Sequence, residues 1–157
     1  MTEPTIEALE LRATAKAAAY DLKAAHPDTV FTSGRRTPQD QARAMSQNVV
    51  INRQWIAQTY RNGVAIRALQ FWIDTHPQAR TALELEAGLY EVMMQLTPSK
   101  LASISKHLSG DAFDVKPVPD PAGAKVVTTI RSLGGLQKFL EREGGLVRWH
   151  AQFVESL

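Results

Sequence analysis

The chain contains no cysteine. That excludes disulfides, thiolate zinc sites and a cysteine nucleophile, so any metal must be held by His, Asp or Glu. No apolar run approaches the roughly eighteen residues of a membrane span, and none is expected. The opening MTEPTIEALELRATAK lacks the basic-then-apolar order of a secretory signal. The expectation is synthesis in the cytoplasm without a signal peptide, so that work elsewhere requires release or delivery. An excess of charge of one sign is missing too. Eighteen Lys+Arg against sixteen Asp+Glu leave a net charge of +2, scattered without a basic block, and no nucleic-acid partner is expected.

What is present fits one domain, 1–157, long enough to bury roughly two-thirds of the surface of its unfolded form. Ile6, Leu9, Ala13, Ala17, Tyr20 and Ala24 recur at steps of three and four, which predicts an amphipathic helix over 4–25. TVFTSG reads as a strand stopped by Gly34. Thr37 and Pro38 then supply an N-cap and a first helical residue, which puts SGRR at a strand-to-helix corner. An alanine-rich stretch broken at Asn62-Gly63 and at 75–77 predicts three or four helices, a helical insert at about 38–97. Its Trp55, Phe71, Trp72, Tyr90, Met93 and Met94 read as core or helix-contact residues, a sugar groove on Trp55 or Trp72 being the alternative. FDVKPV reads as a strand, 126–143 as a helix interrupted by Gly134 and Gly135, and GGLVRWHAQFV as a final strand. The pattern predicts an α+β fold, with a small antiparallel sheet carrying the site and several helices flanking it.

The most chemically loaded segment is SKHLSGDAFDV, residues 105–115. Seven residues separate His107 from Asp114. A helix would hold their backbones about 10 Å apart and a strand roughly 20 Å, whereas ligands of one ion must each come within about 2 Å of it. The chain must therefore turn, and Gly110 is where it can. Beyond the turn Ala112 and Asp114 share a strand face, the small residue leaving room beside the ligand. A hydrolytic zinc needs a third protein ligand. His26 and His76 each precede a proline at a predicted helix end, where capping or surface roles are the plainer reading. His150, in the final strand beside Trp149, is the better candidate.

Ser105-x-His107-x-x-Gly110-x-Ala112-x-Asp114 resembles the signature of the zinc D-alanyl-D-alanine carboxypeptidase and L-alanyl-D-glutamate endopeptidase family. That family includes the D,D-dipeptidases of vancomycin resistance and many phage endolysins. RWH, ending at His150, is similar to its second motif, and SGRRTPQDQ to its upstream SGYRSxxxQ element. The three run in the family's order from Ser33 to His150, while the helical stretch between the first two is matched only loosely. The HLSG wording leans toward the endolysin branch. The resemblance implies Zn²⁺ held by His107, Asp114 and His150, and Arg36 meeting a substrate carboxylate or the reaction's oxyanion. It further implies Ser105 and Gln41 near the substrate, and hydrolysis of stem peptides in bacterial peptidoglycan as an endopeptidase or carboxypeptidase.

One position departs from that pattern. The family carries an acidic general base three residues before its last histidine, and here that residue is Val147. Loss of a base costs on the order of 10² to 10⁴ in rate. Glu143, from the EREGG turn, is the candidate substitute, with Glu141 and Asp111 as alternatives. The other readings are a chain that keeps metal and cleft as a peptidoglycan-binding module without efficient hydrolysis, and a substitution introduced by engineering.

Overall fold

The Thr37–Pro38 helix start is present in the computed structural model, which describes residues 2–143 and 146–155. The chain runs through helices α1 (Pro4–Glu7) and α2 (Ala13–Ala25) to strand β1 (Phe31–Ser33). Five helices follow: α3 (Pro38–Val49), α4 (Trp55–Thr59), α5 (Val64–Thr75), α6 (Ala82–Met94) and α7 (Pro98–Ala102). Strand β2 (Ala112–Val115), helix α8 (Ala122–Arg131) and strands β3 (Leu136–Glu143) and β4 (Leu146–Phe153) complete it. The fold is α+β, with one open sheet of order β1-β2-β4-β3, antiparallel throughout. No helix among the described residues is long and apolar enough to cross a membrane.

The backbone gathers into two compact units, Met1–Arg35 with Ser109–Leu157, and Arg36–Leu108. In the first, strand alternation sorts the side chains. Phe113, Val115, Trp149, Ala151 and Phe153 form one apolar face, packed with Ala15, Ala19 and Leu22 of α2 and Val126 and Ile130 of α8. Ala112, Asp114, His150 and Gln152 are left for the other face. In the second unit Met45, Trp55, Leu69, Ile73, Leu85, Leu89 and Met93 form the core, with Trp72 and Tyr90 packed against it. Phe71 and Met94 are exposed. Gly88 permits close packing of α6 on α5, because a Cβ there would overlap the Trp72 ring.

Two expected helices are corrected. The 4–25 helix is broken between Glu7 and Ala13, where Glu10 takes a positive φ of 53°. The Leu9 carbonyl accepts from the Arg35 N–H and the Arg12 N–H donates to the Gly110 carbonyl, so long-range bonds take groups that a helix would have used. The 126–143 helix also fails. Helix α8 begins at Ala122 and stops at Arg131, Gly135 turns the chain at φ 76°, and β3 follows. Leu136, Phe139 and Leu140 have helical spacing, but pairing with β4 prevails. Gly144 and Gly145, expected as an adaptable turn, lie outside the described residues.

Candidate metal centre

The predicted turn is at Gly110, whose φ of 83° suits glycine. A Cβ there would stand 3.2 Å from both the Arg35 Nε and the Glu10 carbonyl oxygen and 3.3 Å from the Arg12 nitrogen. The turn is clamped on several sides. Arg12 N–H donates to the Gly110 carbonyl at 2.9 Å, Arg35 Nη2 to the Ser109 carbonyl at 3.0 Å, and Phe153 N–H to the Asp111 carbonyl at 2.8 Å. The Asp111 carboxylate is fully buried and accepts from Ser109 Oγ at 2.6 Å and Arg12 Nη1 at 3.3 Å through Oδ2. These bonds deliver the chain into β2 in one register, with Asp114 directly opposite His150 of β4. Cross-strand partners share a face, which brings together two residues 36 apart in sequence.

His107, Asp114 and His150 each present one ligand atom, and these atoms lie within 4.8 Å of one another. All three are buried, at 2%, 7% and 6% exposure. Two donors about 2.0–2.2 Å from one ion stand at most about 4.3 Å apart, so the group lies near the spacing that a shared ion requires. Two imidazoles and a carboxylate without a thiolate suit a catalytic zinc, and equally a non-haem iron. His150 Nδ1 lies 2.9 Å from Asp114 Oδ1, and Nε2 lies 3.1 Å from Gln152 Oε1. Both ring nitrogens thus face side-chain oxygens. Burial acts to lower the His150 pKa, but the bond and charge of Asp114, the charge of Glu143 and the Gln152 bond act oppositely. The balance lies above the ordinary imidazole value.

The remaining expected residues fall into distinct places. Ser105 Oγ accepts from the His107 N–H at 3.2 Å, which shapes the ligand's own loop. The Arg36 N–H donates to the His107 carbonyl at 2.9 Å. Its Nη1 donates to Gln41 Oε1 at 3.3 Å, and Gln41, fully buried, donates through Nε2 to the Tyr60 oxygen at 2.9 Å. Glu143 stands at the end of β3, near enough for its charge to act on His150. Glu141 accepts from Arg131 Nη2 at 3.0 Å, so both it and Asp111 are engaged elsewhere. The other histidines have partners as well. His26 Nε2 meets Thr129 Oγ1 at 2.7 Å, and His76, stacked on Trp72, meets the Trp72 carbonyl through Nδ1 at 2.7 Å.

Val147 has a place that its spacing conceals. Three residues before His150, it would face away from it in a regular strand. The register shifts between Leu140, opposite His150, and Arg142, opposite Val147. The extra residue in β4 is a bulge, and it returns Val147 to the His150 face, where it is 52% exposed. Two neighbours escaped the sequence reading. Gln152 was within reach, being two residues from His150 in a predicted strand, whereas nothing in the sequence connects Tyr60 to Gln41.

No protein-family model matches the chain, and neither a curated protein nor a solved structure matches it.

Proposed function

We propose that this chain is a zinc-dependent peptidase that cleaves stem peptides of bacterial peptidoglycan, acting on the cell wall after release or delivery. The observation that carries the reading is the convergence of His107, Asp114 and His150 in one buried group, in a chain whose motifs resemble those of the zinc carboxypeptidase and endopeptidase family. Zn²⁺ bound by these residues supplies Lewis acidity toward a scissile carbonyl and toward water. Ser105 fixes the backbone that presents His107. Arg36, tied through its backbone to His107, offers a fixed fork of donors to a substrate carboxylate or to the oxygen that gains charge during attack. The Glu143 carboxylate is the group assigned to take the proton from the attacking water.

A specific observation favours a second reading, a zinc-bearing module that binds peptidoglycan without efficient hydrolysis. On the His150 face, the position where the resembled family has its base carries Val147. Incubation with purified peptidoglycan, followed by mass spectrometry of new termini, separates the two. New amino termini on D-glutamate indicate endopeptidase action and free D-alanine indicates carboxypeptidase action, either of them strongly reduced in Arg36→Ala. No product at high protein concentration sinks the peptidase reading.

A further inference from the structure

We infer that Tyr60 is a positioning residue for Arg36, acting through Gln41, an assignment that rests on the role proposed above for Arg36. The direction of the chain of bonds follows from donor chemistry. A guanidinium only donates, so the Gln41 side chain must turn its oxygen to Arg36 Nη1 and its amide N–H₂ away. That N–H₂ is buried and meets the Tyr60 oxygen at 2.9 Å. Tyr60 is itself held edge-on by Trp55, with ring centroids 5.6 Å apart and an interplanar angle of 82°.

Removing the Tyr60 oxygen leaves the Gln41 amide a choice of two faults. It can keep its bond to Arg36 and bury an unpaired N–H, or swing to another acceptor and give up its bond to Arg36 Nη1. Flipping the amide gives no escape, because nitrogen would then face nitrogen. An unpaired buried donor is costly, so the side chain swings and Gln41 no longer holds Arg36 Nη1. The Arg36 backbone stays bonded to His107, so metal binding is spared.

The test is a double-mutant cycle on the full zinc-loaded chain, using solubilised peptidoglycan fragments and reading both kcat/KM and fragment Kd. Tyr60→Phe lowers kcat/KM about tenfold with bound zinc unchanged, and less than twofold once Arg36→Ala is present, because its effect passes through Arg36. Gln41→Met repeats the cycle from the middle of the chain of bonds. Equal losses with and without Arg36 overturn the inference and leave the peptidase reading standing. If the wild type hydrolyses nothing, the peptidase reading falls while the cycle on Kd still decides the inference. Absence of both hydrolysis and binding overturns the two together.

Discussion

A valine on the His150 face concentrates the chemistry at the scale of single residues. Val147 cannot accept a proton, and the β4 bulge puts it on the face that carries His150. If the chain is the proposed peptidase, Val147→Glu raises the rate of stem-peptide hydrolysis roughly tenfold or more, within the range a positioned base supplies. Rates measured on the same peptidoglycan fragments check this, and an unchanged rate would mean that the shifted register does not aim the side chain at the site. The residue scale also shows what was legible beforehand. His107, Gly110 and Asp114 could be read from local spacing, because a turn between two ligands needs a residue tolerant of positive φ. The facing of Val147 could not, since it depends on one extra residue in a partner ladder.

At the scale of elements, the helix that follows Arg36 is held at its start by a reciprocal cap. Thr37 Oγ1 accepts from the Asp40 N–H at 3.1 Å, and Asp40 Oδ2 accepts from the Thr37 N–H at 3.3 Å. A bond from the Thr37 hydroxyl to the Asp40 carboxylate, then the Thr37 N–H bond, then the charges of Arg43 and Arg36, hold the Asp40 pKa below the usual aspartate value against a smaller opposing effect of burial. A carboxylate depressed on folding adds stability that is complete above its unfolded pKa and is lost as pH falls through the folded value. Thr37→Ala is expected to move the Asp40 midpoint upward in a carboxyl NMR titration and to cost about 1 kcal/mol in denaturant unfolding. An unmoved midpoint would deny the coupling. The Thr37 N-cap was readable in TPQD, since its signal is local, whereas the Asp40 half of the box was not read there. The β3 strand was not, because LQKFLERE has helix-like apolar spacing and only its pairing with β4 decides it. The break before α2 is likewise set by bonds to distant residues, Arg35 and Gly110.

For the whole molecule, the α+β architecture could be anticipated from a few β-branched runs among alanine-rich helices, whereas strand order and register could not. Those two features put Asp114 opposite His150 and so create the candidate centre. With no cysteine in the chain, this buried group is the only metal-ligating cluster of three among the described residues. The most direct measurement is equilibrium dialysis against Zn²⁺ followed by elemental analysis of the full chain. Zn²⁺ held as proposed by His107, Asp114 and His150 gives one zinc per chain in the wild type, its loss in His107→Ala and in Asp114→Ala, and full retention in His26→Ala. Well under one zinc in the wild type, or undiminished zinc in His107→Ala, would contradict it.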